Sequence, residues 1–151
     1  MDKTEFKLIA QNRKARYEYF ILATFEAGLA LTGTEIKSLR EGKISLQEGF
    51  GRVTNGEAWL EEVYIAPYDK GSWLNPPSKR KRKLLLHRSE IRELQQKTRE
   101  KGLTLVPIRV YLKNGRAKIE LGVARGKHLY DKREAIATRD AEREVARALR
   151  G

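Results

Sequence analysis

Cysteine is absent from this chain of 151 residues, and proline, with four residues, and methionine, with one, are scarce. Without cysteine there is no disulfide scaffold, thiol nucleophile or thiolate metal site. No apolar run approaches the roughly 20 residues of a membrane-spanning helix. The N-terminus carries mixed charge and leads into no apolar segment, so it lacks the form of a signal peptide. These absences predict a cytoplasmic protein that does not enter membranes.

Acidic residues are too few to balance the basic ones. The chain has 32 Lys and Arg against 20 Asp and Glu, a formal net charge of +12. Residues 1–130 carry +11 of this excess, and residues 131–151 carry only +1. Such a field favours an acidic partner, and nucleic acid is the partner class that it indicates. We therefore divide the chain into a basic body, 1–130, and a C-terminal tail, 131–151.

Alternating apolar residues predict strands in the body. Residues 106–112 and 117–123 have the period of half-buried strands, and Asn114-Gly115 between them is typical of a tight type I′ turn. A second pair, Asn55-Gly56, joins two shorter segments. Tyr17–Phe25 predicts another strand, which we expect to turn at Ala27-Gly28 and to continue over 29–31. A further strand is expected over 84–86.

Two helices have recognisable starts. Thr32 and Glu35 have capping-box spacing ahead of a helix that Gly42 ends, and Ser89 opens a second helix that reaches Gly102. Five to seven short antiparallel strands with two or three helices indicate a mainly β protein. A small closed β-barrel with helices, of the oligonucleotide-binding (OB) type, fits this count, although spacing alone does not select it over other β-barrels.

The tail has no Gly or Pro between Asp131 and the last residue. Its apolar stripe is mostly alanine and buries too little area to dock firmly, so we expect it to be frayed when free and helical when bound. Arginines recur every four residues on an adjacent face, where they could follow phosphates: Arg139, Arg143 and Arg147.

Catalytic patterns are weak. The two histidines, His87 and His128, are flanked by basic residues rather than carboxylates, and neither has a metal-ligand companion at helical spacing. The sequence thus predicts neither an enzyme nor a cofactor or metal site, and an RNA-processing enzyme using either histidine is the least favoured alternative.

Basic residues instead form three clusters, at 12–17, 79–83 and 125–133. Bases interleaved with aromatic residues suit phosphate contact and stacking on unpaired bases. Any single cluster could be a solvated loop, but three on one basic body favour RNA or DNA binding.

Ordered sequence blocks resemble the SmpB family (small protein B, or SsrA-binding protein) from Asn12 to about Arg147. The matching blocks are Asn12-Arg13-Lys14-Ala15, Phe25-Glu26-Ala27-Gly28, residues 31–40, residues 82–87, residues 102–107, Gly126-Lys127 and Asp131-Lys132-Arg133. The resemblance implies an OB-like barrel that binds the tRNA-like domain of transfer-messenger RNA and delivers it to stalled bacterial ribosomes. It also implies contact with small-subunit ribosomal RNA, and indirect association with alanyl-tRNA synthetase and elongation factor Tu through the RNA. We expect a monomer without catalytic activity or cofactor.

The resemblance also implies site residues. It attributes RNA contact to Asn12, Glu26, Leu85 and Lys118, and a ribosomal role to Asp131-Lys132-Arg133 and the tail. From the residues alone, Glu26 would be a solvated acid beside a turn, and Leu85 a core residue. With the basic clusters added, the predicted RNA-binding set is Asn12, Arg13, Lys14, Arg16, Tyr17, Glu26, Lys37, Arg80, Arg82, Lys83, Leu85, Lys118, Arg125 and Lys127, and the ribosome-acting set is Tyr130, Asp131, Lys132, Arg133, Arg139, Arg143 and Arg147.

Two stretches depart from the family pattern. Residues 75–80 read Asn-Pro-Pro-Ser-Lys-Arg in place of Asn-x-Asp-Pro-x-Arg, and His128 replaces the second lysine of a Gly-Lys-Lys block. The histidine exchanges a permanent charge for one that titrates near neutrality. The alternative function is a general OB-type RNA-binding or ribosome-associated accessory protein.

Overall fold

The computed structural model describes residues 5–69, 75–100 and 102–127. The described residues form nine strands and three helices, with these bounds: β1 Phe6–Gln11, α1 Arg13–Glu18, β2 Tyr19–Leu29, α2 Gly33–Arg40, β3 Ile44–Ser45, β4 Phe50–Thr54, β5 Glu57–Glu61, β6 Tyr64–Ile65, β7 Arg82–Leu85, α3 Arg88–Thr98, β8 Leu103–Lys113 and β9 Arg116–Gly126.

Six strands close into a barrel. The large sheet runs β1-β8-β4-β5-β7-β2-β9, and β8 also pairs with β9, so the ring from β8 through β4, β5, β7, β2 and β9 returns to β8. β1 adds to the free edge of β8, and all these pairs are antiparallel. The predicted mainly β fold, a small OB-like barrel with short helices, is confirmed. The predicted tail lies outside the described residues.

The β8–β9 hairpin forms as predicted. Asn114 and Gly115 both have positive φ, at 52° and 77°, as a type I′ turn requires. The prediction that 106–112 is half-buried is wrong, because Pro107 and Tyr111 are buried as well as their apolar neighbours. The outer side of β8 is covered by β1, whose Phe6 ring packs on Tyr111.

One continuous strand, β2, replaces the predicted turn at Ala27-Gly28. Gly28 lies within the ladder and pairs with residues on both neighbouring strands. Glycine is used here for a close approach rather than a turn, since a Cβ on Gly28 would lie 3.2 Å from the Leu85 Cβ. Pattern reading also missed β1 and helix α1.

Both predicted helices are present. Thr32 and Glu35 form the expected capping box at the start of α2, and Gly42 follows its end with a φ of 76°. α3 begins at Arg88, where the Glu90 carboxylate accepts a hydrogen bond from the His87 N–H, and it ends at Thr98, earlier than predicted. Its Leu94 is fully buried against Leu105 and Val123 of the barrel. No helix in the described ranges is long and apolar enough to cross a membrane.

Candidate nucleic-acid interface

A cross-strand row on the barrel surface joins Leu85, Gly28 and Lys118. Gly28 on β2 pairs with Leu85 on β7 and with Lys118 on β9. Gly28 is buried, and because it has no side chain Leu85 packs closely over it: a Cβ on Gly28 would lie 3.2 Å from the Leu85 Cβ and 3.4 Å from its Cδ1. Leu85 is 54% exposed, whereas neighbouring Leu84 is 1% exposed. Core placement of Leu85, favoured by the residues alone, is therefore wrong.

The row forms part of a groove of about 810 Å³. Glu26 lines it, two residues before Gly28 on the same strand, so the structure brings together three of the four residues that the resemblance implied. The groove is completed by β5, β7 and the start of α3, which contribute charged and apolar side chains, including Glu57, Lys83, Leu86, His87, Arg88 and Ile91. Its mixed lining is suited to a ligand that carries both phosphates and apolar ring faces.

Glu26 is kept ionised by a hydrogen bond and by neighbouring lysines. The Tyr111 hydroxyl donates a hydrogen bond to its carboxylate, and Lys113 Nζ lies 3.6 Å from the other oxygen. The hydrogen bond from Tyr111 is the largest influence and lowers the pKa of Glu26; burial opposes it, and Lys113 and Lys118 lower the pKa further. Glu26 lies within β2, not beside a turn as predicted. It is therefore a fixed, ionised acceptor at the groove.

The basic run 79–83 divides into inward arginines and outward lysines. Arg82 is 0% exposed, and its Nε donates to Glu35 Oε2 at 2.7 Å while its other nitrogens donate to the Val63 and Ser78 carbonyls. Arg80 donates to the other Glu35 oxygen. Burial favours a higher Glu35 pKa, but hydrogen bonds from Arg80, the Thr32 N–H and Arg82 lower it overall. The prediction that Arg82 contacts RNA is corrected, because all three of its guanidinium nitrogens are buried and donate hydrogen bonds within the protein.

The lysines of the same run each face an acid. Lys79 lies 3.9 Å from Glu62, Lys81 3.9 Å from Glu61, and Lys83 3.4 Å from Glu57, measured between Nζ and a carboxylate oxygen. Exposed pairs of this kind add little stability, but they offset the local charge. Residues 79–83 are therefore a compensated surface rather than the free positive patch that the sequence suggested. Lys83 is the lysine of this run that lines the groove.

Asn12 is the N-cap residue of α1 and joins the start of this helix to neighbouring backbone. It is 6% exposed, its side-chain oxygen accepts from the Ala15 N–H at 3.2 Å, and its amide nitrogen donates to the carbonyls of Pro107 and Leu46. These bonds occupy much of the side chain and position the helix that follows, and Asn12 also lines a cavity beside α1, so direct RNA contact through Asn12 stays a prediction.

A second basic and aromatic surface lies around α1, and we call it the α1 face: Arg13, Arg16, Tyr17, Phe20 and Lys127. The first three line a cavity of about 290 Å³, and Tyr17 is 79% exposed. Lys127 Nζ lies 4.7 Å from the Phe20 ring centroid and donates to the Arg16 carbonyl. This brings the end of the first basic cluster next to the start of the third.

The remaining predicted residues lie apart from the groove lining. Lys14 pairs with Glu18 at 3.4 Å, and Lys37 on α2 lies 5.4 Å from the Tyr68 ring. Arg125 is on β9, opposite Phe20. Outside the described residues fall His128 and the whole ribosome-acting set: Tyr130, Asp131, Lys132, Arg133, Arg139, Arg143 and Arg147.

Comparison with known proteins decides the family. The model of the SmpB protein family matches residues 9–151. This chain belongs to the SmpB family. The SsrA-binding protein of Desulforudis audaxviator is 62% identical over 145 residues, covering 96% of this chain and 95% of that one. The SsrA-binding protein of Lacticaseibacillus casei is 59% identical over 143 residues, covering 95% and 91%.

A solved structure is also similar. It is described as "tmRNA-SmpB: a journey to the center of the bacterial ribosome" and has a TM-score of 0.68, with 55% identity over 78% of this chain and 83% of that one. The predicted family is confirmed at the level of both sequence and fold.

Sequence reasoning about this SmpB-family chain missed several exposed apolar residues. Phe6, Phe20 and Leu22 are 51%, 44% and 54% exposed. Phe20 and Leu22 lie in a segment that the pattern correctly predicts as a strand, and exposure alternates regularly along it from Tyr19 to Glu26. Because residues 19–23 are all apolar or aromatic, the sequence does not show which of them face outward. Phe6 lies on β1, which the pattern did not reveal.

Proposed function

We propose that this chain binds the tRNA-like domain of transfer-messenger RNA in the groove and delivers that RNA to stalled ribosomes for trans-translation. The observation that carries the proposal is the meeting of Leu85, Gly28 and Lys118 in one row with Glu26 beside it. The names of the relatives and the description of the similar structure support it. The protein acts as a cytoplasmic, monomeric RNA-binding protein rather than as an enzyme.

Each groove residue contributes a different interaction. Lys118 supplies a cation for a backbone phosphate, and Leu85 presents an apolar surface to a ribose or a base. Glu26, held ionised by Tyr111, accepts hydrogen bonds from base N–H groups or a ribose hydroxyl. A carboxylate repels phosphate, so Glu26 discriminates against RNA that offers only its backbone at this point. The groove thus combines general attraction with a local requirement for donors.

The other predicted residues have later roles in the proposal. The α1 face and Arg125 offer cations and exposed rings to a second stretch of RNA, which suits contact with small-subunit ribosomal RNA while the groove is occupied. Residues 130–133 and the tail arginines act in the ribosome. Alanyl-tRNA synthetase and elongation factor Tu associate through the bound RNA.

A pair of charge-matched variants tests the groove. Lys118→Ala removes a groove cation, and Lys43→Ala removes a lysine that is paired with Glu41 and Asp69 outside the groove lining. In filter binding with transfer-messenger RNA, we expect Lys118→Ala to weaken binding about tenfold and Lys43→Ala to have little effect. Equal losses would show that only net charge matters. Equally tight binding of bulk transfer RNA would favour the general RNA-binding alternative.

A further inference from the structure

Phe6 presents a half-exposed aromatic ring near the groove. It lies on the added strand β1, paired with Lys113 of β8, and is 51% exposed. Its ring centroid is 4.7 Å from that of Tyr111, at an interplanar angle of 35°. The Arg109 guanidinium lies 5.6 Å from the Phe6 centroid and 5.3 Å from the Tyr111 centroid. The ring thus contacts both Tyr111 and Arg109 and remains half exposed to solvent.

The same contacts connect Phe6 to the groove carboxylate. Tyr111, on which Phe6 packs, donates its hydroxyl proton to a hydrogen bond with Glu26. Lys113, the register partner of Phe6, forms the ion pair with Glu26 at 3.6 Å. Tyr111 and Lys113 therefore connect an exposed aromatic ring to an ionised acceptor across the neighbouring strands β1, β8, β9 and β2.

We propose that Phe6 is a stacking platform for one unpaired RNA base whose N–H donors are accepted by Glu26. This rests on the proposed function and extends its RNA site beyond the groove. Stacking needs an accessible ring held in one orientation, which Tyr111 and Arg109 provide. A carboxylate accepts and does not donate, so the site selects a base with N–H donors on its exposed edge, and guanine, with adjacent ring and exocyclic donors, matches best.

The test distinguishes stacking on the aromatic ring of Phe6 from a general hydrophobic contact made by its side chain. Phe6→Leu keeps an apolar side chain without a π face, and Phe6→Trp enlarges the ring. Tyr64→Leu is the matched control, because Tyr64 is a 40% exposed aromatic on β6, in the separate two-stranded sheet of β3 and β6. With the synthetic tRNA-like domain of transfer-messenger RNA, we expect Phe6→Leu to weaken binding about tenfold. Phe6→Trp should bind at least as tightly as the unaltered protein, and Tyr64→Leu should bind equally. Thermal unfolding of each variant confirms that the barrel is intact.

Two further measurements identify stacking on one base. Phe6→Leu removes no charge, so the slope of log affinity against log salt should stay unchanged, whereas Lys118→Ala should reduce it by about one. Abasic substitution at each unpaired nucleotide should reveal one position at which the loss of the base and Phe6→Leu are not additive.

Three results would overturn the inference. They are unaltered affinity of Phe6→Leu, loss of affinity in Phe6→Trp as well as Phe6→Leu, or strict additivity at every unpaired position. In each case a defect in Lys118→Ala would leave the proposed function standing. If Lys118→Ala and Phe6→Leu both bind normally, the groove is not the RNA site and both proposals fail together.

Discussion

The Tyr111 hydroxyl donates a hydrogen bond to the Glu26 carboxylate across strand β9, which lies between their own strands β8 and β2. Tyr111 is 3% exposed and is not among the groove-lining residues, so it positions the Glu26 carboxylate from within the barrel wall. Burial, followed by this hydrogen bond, raises the pKa of Tyr111 above its ordinary value, so the hydroxyl keeps its proton and donates at neutral pH.

Tyr111→Phe should raise the pH at which RNA binding begins to be lost on acidification. Glu26 has a lowered pKa, so its ionised form, and binding that depends on it, should persist below the ordinary carboxyl pKa and be lost as pH falls through the lowered value. Without the hydroxyl, the pKa rises and the loss begins at higher pH. We expect the affinity of the variant to begin to fall at a higher pH than that of the unaltered protein, with little change at pH 7, as a titration of affinity against pH would show. An identical pH profile in both proteins would contradict this.

Gly28→Ala should displace Leu85 from its position at the groove. The added Cβ would lie 3.2 Å from the Leu85 Cβ, so the exposed Leu85 side chain must shift. We expect RNA affinity to fall while the free energy of unfolding changes by less than about 1 kcal/mol, as urea titration would show. Gly33→Ala is the control, since a Cβ there meets no atom within 4 Å. Unchanged affinity in Gly28→Ala would mean that RNA does not enter this row.

The buried Glu35–Arg82 pair should be strongly coupled in stability. Removing one partner leaves the other charged and buried, so Glu35→Ala should cost about 3–5 kcal/mol, and the double variant Glu35→Leu/Arg82→Met should recover part of that loss. The lowered Glu35 pKa gives a contribution present above the unfolded-state pKa and lost as pH falls through the folded-state value. Denaturant titrations from pH 7 to pH 3 measure both effects. Additive losses in the double variant would refute the coupling.

Deletion of residues 134–151 should separate RNA binding from ribosome rescue. These residues carry no net charge excess comparable to that of the body, so their removal should change affinity for transfer-messenger RNA little. Peptide tagging on stalled ribosomes should be abolished. Filter binding and a reconstituted tagging assay on the same truncated protein test this, and parallel loss of both activities would assign the tail to the RNA site.

Short sequence patterns correctly predicted the features that depend on a few neighbouring residues. Two Asn-Gly pairs and one capping box located turns and a helix start, because these conformations depend on few neighbouring residues. The pairing of β2 with β7 and β9 depends on contacts between residues far apart in the chain. For that reason the local pattern predicts a turn at Gly28 and a core position for Leu85, and both predictions are wrong. Only the family resemblance placed Glu26, Leu85 and Lys118 in one site. Neither the sequence pattern nor the family resemblance indicates that Arg82 is buried and hydrogen-bonded to Glu35.

The pairing of Lys79, Lys81 and Lys83 with Glu62, Glu61 and Glu57 has a kinetic consequence. A run of five uncompensated cations would be held by the first RNA it met, and release from that RNA would limit the search for the correct one. Acidic neighbours compete for each lysine and shorten such encounters, at little cost to stability. We expect the protein to sample many RNA surfaces rapidly and to remain only where the groove is filled.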